Sequence, residues 1–258
     1  MTHKLVEGAP TGQHPLVTRL LKGVYNSRPP QPRYTMTWNV DNVLRYIRNL
    51  GDNNQLTLKI ISKKLALLMA LVEASRTSEL QALDLRFRVF KPEGVSFTLA
   101  TLTKKRRTGA PAKQLLFGAF PEDDKLCVVN CLKQYKKMTS KMRTQNNTQP
   151  NPLFISYIKP HKPITSQRIA DWIKDMLAEA GVDTSIFKAH SVRGAATSAA
   201  LAKGVSIQDI LDTADWSTDS TFRRFYYRPS KENSFVKKLF YMPNNDNSEI
   251  LWHVCLFL

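Results

Sequence analysis

The sequence predicts a mainly α-helical fold that carries one small antiparallel β-sheet. Three observations predict it. Apolar residues recur at helical spacing behind recognisable capping residues through most of residues 38–230. One block alone, residues 84–118, changes to alternation and contains the turn signal Pro92-Glu93-Gly94. The chain has 258 residues, 42% hydrophobic and 23% charged, enough to bury a substantial core without disulfides and unlike a disordered or collagen-like chain.

Residues 1–37 read as a flexible leader. Gly8, Pro10, Gly12, Pro15, Gly23, Pro29, Pro30 and Pro32 crowd it, and an amphipathic piece at 16–25 is short enough to be a docking helix. Residues 37–39 cap a helix to about residue 50, with Val40, Val43, Leu44 and Ile47 as its apolar stripe. Thr57 caps a second helix through Glu73. A short helix follows over 75–82, with Ser75 and Ser78 as caps.

Then the period changes. Leu85, Phe87 and Val89 alternate with Arg86 and Arg88 as a half-buried strand. Val95, Phe97, Leu99 and Leu102 make a second strand and residues 114–117 a third, with a basic hairpin tip at 104–109. Helices return over 125–142, with Lys133, Lys136, Lys137, Lys141 and Arg143 on the outer face. Residues 144–152 form a polar loop and 153–157 a short strand. Residues 166–180 form a helix with Ile169, Trp172, Ile173 and Leu177 inward and Gly181 as its stop. A helix of small residues spans 191–202. Ser206-x-x-Asp209 starts another to about Ala214, and a last one covers 219–227.

The unusual term is charge. Lys and Arg number 38 against 21 Asp and Glu, a net +17, which points to a polyanion and above all to nucleic acid. Cys127, Cys131 and Cys255 are odd in number, and CxxxC is not a usual zinc spacing. Cys127 and Cys131, four apart in an apolar helical pattern, read as core-facing, and the chain as a reduced, intracellular one. The start of the chain has no secretory pattern, and its longest apolar runs, 65–72 and 254–258, are too short to span a bilayer.

Five places hold polar or aromatic residues with a chemical reading. Arg76, in Arg76-Thr77-Ser78-Glu79-Leu80, follows an apolar helix; it either pairs locally with Glu79 or grips an anion while Glu79 orients it. His190-Ser191-Val192-Arg193 puts a His and an Arg on one face at a helix start, where donors suit a phosphate. Lys104 and Lys105, beside Arg106 and Arg107, are either a solvated cluster or a hairpin entering a DNA groove. Trp216 and Tyr226, ten apart, read singly as core aromatics.

In this order the five elements resemble the catalytic domain of the tyrosine recombinases, the phage-integrase family, over roughly residues 38–230. The segment from Trp216 to Tyr226 is most similar to recombinases of eukaryotic DIRS and Ngaro-type retrotransposons. The resemblance implies the DNA breaking-rejoining fold and a DNA strand transferase that works through a 3′-phosphotyrosine intermediate, with no metal and no cofactor. It implies Arg76 and Arg193 as the phosphate clamp and His190 and Trp216 at the phosphate. Lys104 is the general acid, with Lys105 as second choice, and Tyr226 the nucleophile, with Tyr227 as fallback. Arg106, Arg107, Arg223 and Arg224, with Lys105, hold the DNA backbone. The implied partner is double-stranded DNA, engaged as a homo-tetramer, in the nucleus and with no membrane.

The pattern departs from the family in places. Many members place the tyrosine nine residues after the His/Trp position, where this chain has Phe225. The leader before residue 38 is too short for the small helical domain that completes the clamp around DNA. The tail, 231–258, ends in an apolar run that reads as a segment docking on a neighbouring protomer, as a nonnative terminus of a degraded copy, or as an ordinary last core element. Two other readings remain beside the active recombinase: an inactive DNA-binding relic of a mobile element, and a relaxing enzyme of type IB topoisomerase kind.

Overall fold

The computed structural model describes residues 5–8, 10–29, 34–99, 112–143 and 148–228. Lys104, Lys105, Arg106 and Arg107, expected at a hairpin tip, together with Leu102, Cys255 and the tail from 231 onward, lie outside the described residues. The chain divides into two compact units, Met1–Thr35 and Met36–Leu258.

In the first unit, α1 spans Pro15–Ser27. His14 caps it by accepting from the Leu16 N–H, and Pro15 occupies the first helical position, where its missing donor costs nothing. Leu16, Leu20, Leu21, Val24 and Tyr25 are all exposed.

The second unit is mainly helical among its described residues. Helix α2 (Val40–Asn49) is capped by Asn39, whose side chain accepts from the Asp41 N–H. Helix α3 (Leu58–Val72) is capped by Thr57 and runs through the middle of the main core, with every residue from Ile61 to Ala70 buried. It lies against α5 (Val128–Thr139), α6 (Ser166–Glu179) and α7 (Ser191–Ala202). Lys63 and Lys64 are buried in the same stretch. Lys63 reaches Asp175 at 2.7 Å, whereas the Lys64 ammonium has no hydrogen-bond partner.

The sheet has the order β1–β2–β3, all antiparallel: β1 (Arg88–Lys91), β2 (Gly94–Thr98) and β3 (Gln114–Gly118). Val95 faces Phe117 and Phe97 faces Leu115, which sends those four side chains into the core. A second, smaller core lies under the end of the unit. It joins Ala74 to Ile210, Leu211 and Ala214 of α8 (Ile207–Ala214), to Trp216, and to Phe222 of α9 (Asp219–Phe225).

Several expectations are corrected. The short helix α4 is Thr77–Gln81, and its cap position is Arg76, not Ser75; the Glu79 carboxylate accepts from the Arg76 N–H and so ties the cap residue to the first turn. Leu85–Phe87 is a 3-10 turn rather than a strand, because the Asp84 side chain accepts from the Arg86 N–H and bends the chain. Residues 153–157 form no strand but one isolated bridge, Ile155 to Pro163. The helix expected from 125 begins at Val128, since Asp123 accepts from the Lys125 and Leu126 amides in a preceding turn. Arg143 is not on an outer face: its guanidinium donates to the Asn151 side chain and to the Pro152 and Leu153 carbonyls. The last helix stops at Phe225, ahead of Tyr226.

Cys127 and Cys131 are buried and unbridged, and burial pushes the Cys131 thiol up to about 12. No helix among the described residues is long and apolar enough to cross a membrane.

Candidate active site

Six of the sequence-selected residues converge where the two cores meet. Arg76 stands at the turn between α3 and α4. Its Nη1 donates to Glu79 Oε1 at 2.8 Å and its backbone N–H to Glu79 Oε2 at 2.8 Å, so one carboxylate fixes both ends of the residue. Burial pushes the Glu79 carboxyl up, but the Arg76 N–H, Lys113 and the Arg76 guanidinium outweigh it and hold the group below its ordinary value. The rest of the Arg76 fork stays available, with the side chain 32% exposed.

Arg193 lies in the first turn of α7 and is only 1% exposed. It donates through Nη1 to the Ala74 carbonyl and through Nη2 to the Ala214 carbonyl at 2.8 Å. Burial, with Arg76 nearby, pulls its affinity for a proton below the usual arginine value. Its Nε is buried with no hydrogen-bond partner, and so is the Trp216 indole N–H. Such orphaned donors are uncommon in folded proteins and call for an acceptor. The Ser75 hydroxyl, next to Arg76, is a third buried group without a partner.

Tyr226 is the meeting point. Its ring stacks on Trp216 with centroids 4.2 Å apart, lies 5.8 Å from the His190 ring, and has the Arg193 guanidinium carbon 5.7 Å from its centroid. Arg193 also sits 5.1 Å from the Trp216 ring centroid. The backbone that carries Tyr226 is tied to α7. A Cβ at Gly194 would stand 2.9 Å from the Tyr226 carbonyl oxygen, and Ser198 Oγ donates to that oxygen at 3.4 Å while accepting from the Arg228 N–H at 2.9 Å. Tyr227 instead packs edge-on against Phe222, at 5.8 Å.

Beside this cluster opens a cleft of about 470 Å³, lined by Ser75, Arg76, Thr77, Ser78, Lys188 and His190 among others. Arg223 pairs with Asp219 at 2.7 Å, and Arg224 lies over the Phe225 ring; both are exposed. The structure brings together Arg76, Glu79, His190, Arg193, Trp216 and Tyr226, and Arg223 and Arg224 lie just before Tyr226 in the chain. No cluster of His, Cys, Asp and Glu among the described residues is arranged to hold a metal.

Sequence reading missed Lys113. Its ammonium lies 2.9 Å from Glu79 Oε1 and 3.2 Å from Asp215 Oδ2. The partners are 34 and 102 residues away in sequence, so no local pattern announces them. Gly194 and Ser198 belong to the small-residue helix expected over 191–202; their spacing of four, on one face of α7, is the signal that places another backbone against them.

The family model described as "Phage integrase family" matches residues 47–233. Among solved structures, the XerA recombinase is similar with a TM-score of 0.55 at 17% identity, over 84% of this chain and 70% of that one. The XerH site-specific recombinase, bound to its difH substrate in a pre-cleavage complex, is similar with a TM-score of 0.55 at 13% identity, over 74% of this chain. That match spans about half, 49%, of the XerH chain. No curated protein matches by sequence.

Proposed function

The chain belongs to the phage integrase (tyrosine recombinase) family, and from that premise we propose that it cleaves and rejoins DNA through a 3′-phosphotyrosine intermediate with Tyr226 as nucleophile. The observation that carries the reading is the seat of the Tyr226 ring, stacked on Trp216, over Arg193 and beside His190.

The chemistry follows from these groups. The Tyr226 hydroxyl attacks a backbone phosphorus, loses its proton, and the bond to the 5′ oxygen breaks. Lys104 protonates that leaving oxygen. Charge builds on the non-bridging oxygens at the transition state, and donors already in place stabilise it without reorganising. Arg76 offers the part of its fork that Glu79 does not use. Arg193 is rigid because two carbonyls hold it. The unpartnered Arg193 Nε–H and Trp216 N–H, and the Ser75 hydroxyl, are donors for which phosphate oxygens are suitable acceptors. His190, whose ring lies beside that of Tyr226, takes the phenolic proton or donates to the phosphate. One phosphodiester is exchanged for another, so the bond energy is conserved and no nucleotide hydrolysis is required.

The net charge of +17 supports duplex DNA as the partner, with Lys105, Arg106, Arg107, Arg223 and Arg224 contributing to the backbone grip. We place its action in the nucleus, as a homo-tetramer on DNA, with an origin in a mobile element of DIRS or Ngaro type.

The test is a nicked suicide duplex pool with random core sequence, on which cleavage traps the protein. A covalent protein–DNA band is expected from the wild type and from Tyr227→Phe, and none from Tyr226→Phe. A band that survives in Tyr226→Phe moves the nucleophile elsewhere. Bound DNA without a band from the wild type replaces the enzyme with a binding module.

A further inference from the structure

We propose that Lys113 is a positioning residue: a two-carboxylate bridge that fixes the base of the β2–β3 hairpin to both Arg76 and the turn that presents Trp216. The proposal rests on the strand-transfer reading above for its catalytic consequence.

Lys113 precedes β3 by one residue, and its carbonyl accepts from the Leu99 N–H at 2.8 Å. It therefore closes the ladder one step beyond the Thr98–Gln114 pair. Its side chain turns back into the protein and is 19% exposed.

One contact, at 2.9 Å, is with Glu79 Oε1, the same oxygen that receives Arg76 Nη1 at 2.8 Å. Glu79 is 4% exposed, so this oxygen lies between two cations away from bulk water. Coulomb attraction is much less screened there than at the surface, and the carboxylate is held from two sides. The other contact, at 3.2 Å, is with Asp215 Oδ2. Asp215 ends α8 in the left-handed conformation, φ 53° and ψ 51°, and Trp216 follows, its N–H donating to the Leu211 carbonyl at 2.9 Å. An aspartate tolerates that backbone conformation better than most residues, and the bridge holds its side chain.

Lys113 thus connects three sections of chain that sequence keeps far apart: the hairpin base, the Arg76–Glu79 pair, and the α8 terminus before Trp216. An ammonium suits this task. Its donors radiate from a point and reach carboxylates on two different elements, whereas the planar fork of arginine favours a single one. Two of its three N–H bonds are engaged by these carboxylates. That commitment favours holding geometry over delivering a proton to a leaving group.

The experiment compares wild type, Lys113→Met and Asp215→Asn, as full chains. Amide hydrogen exchange without DNA comes first, because it needs no activity. Lys113→Met is expected to speed exchange at the Arg76 and Trp216 amides and leave α3 unchanged; unchanged exchange at both amides overturns the bridge. Single-turnover cleavage then reads the consequence. Lys113→Met is expected to slow covalent-complex formation about tenfold or more, as small displacements in active sites do, at a DNA affinity within about twofold of wild type. Asp215→Asn is expected to lose less, and the double variant to be no worse than Lys113→Met alone, as groups in one network behave. A duplex with a bridging sulfur at the 5′ leaving position separates the roles, because a thiolate departs without a proton. Lys113→Met is expected to stay impaired on it; restoration to the wild-type rate would make Lys113 the proton donor and overturn the proposal. If the wild type forms no covalent complex while the exchange result holds, the strand-transfer reading fails and the bridge stands.

Discussion

The α-carbon of Gly194 and the carbonyl oxygen of Tyr226 are so close that a Cβ on the glycine would lie 2.9 Å from that oxygen. Ala in a helix interior ordinarily stabilises by roughly 0.5–1 kcal/mol relative to Gly. Here the opposite sign is expected, because the obstacle is backbone. Gly194→Ala should lower the melting temperature and slow covalent-complex formation about tenfold, with DNA affinity little changed. A raised melting temperature with normal cleavage would show that Tyr226 does not approach α7 this closely.

Arg193 should behave as a structural and a chemical residue at once. Lys at this position keeps the charge and loses the fork that reaches the Ala74 and Ala214 carbonyls. Leaving buried carbonyls unsatisfied costs about 1–3 kcal/mol. Arg193→Lys is expected to lose stability in that range, to lose cleavage by about a hundredfold or more, and to hold DNA nearly as wild type does. Denaturant melts, suicide-substrate trapping and a binding titration read the three effects, and unchanged stability would deny the carbonyl tethers.

Glu73 should make stability depend on pH. Burial pushes its carboxyl up to about 8; Leu116 N–H and Lys113 oppose the rise and Glu79 adds to it. The unfolded chain releases this proton near pH 4.5 and the folded chain keeps it until about 8. The folded state therefore binds more protons across that window, and stability falls as pH rises, by at most about 1.4 kcal/mol per pH unit. Glu73→Gln keeps the neutral shape and should remove this slope. Urea melts at pH 5.5 and pH 8 should show the variant's advantage growing with pH; an equal difference at both would contradict it.

Lys64 is the reverse case. It is 0% exposed, its ammonium has no hydrogen-bond partner, and burial pulls its pKa down. The unfolded chain holds the proton more tightly than the folded one, so stability rises with pH toward the ordinary lysine range. Lys64→Met fills the same space without a charge and should stabilise by about 1–2 kcal/mol at neutral pH, with the gain shrinking as pH approaches 10. A destabilised variant would mean that the ammonium is satisfied.

What the sequence made legible was local. Asn39, Thr57 and Ser206 cap their helices as read, because a cap is decided within three residues. The sheet was found for the same reason, since alternation and a turn lie in one short block. Arg76 was expected to meet Glu79 and does, one helical turn away. Errors arose where a side chain overrode propensity. Asp84 drew residues 85–87 into a tight turn, and the Arg76–Glu79 pair put the cap position at Arg76. Arg143 looked like one more outward cation until the returning chain at 151–153 supplied its acceptors. Lys113 was invisible because both its partners come from distant chain, and Gly194 because its neighbour is a carbonyl rather than a side chain.

The two carbonyls that hold Arg193 also change what its presence in a sequence signifies. One codon answers to two selections, for folding through Ala74 and Ala214 and for chemistry through the groups around Tyr226. A copy of such a gene that has lost strand transfer, yet still needs a folded product, remains under pressure to keep the arginine. The hydroxyl of Tyr226 carries a lighter structural duty: it adds one side-chain hydrogen bond with Arg193, while its ring makes the stack on Trp216. Decay of function is therefore expected to be written first at the tyrosine, as phenylalanine, while the arginine persists as a mark of the fold rather than of the reaction.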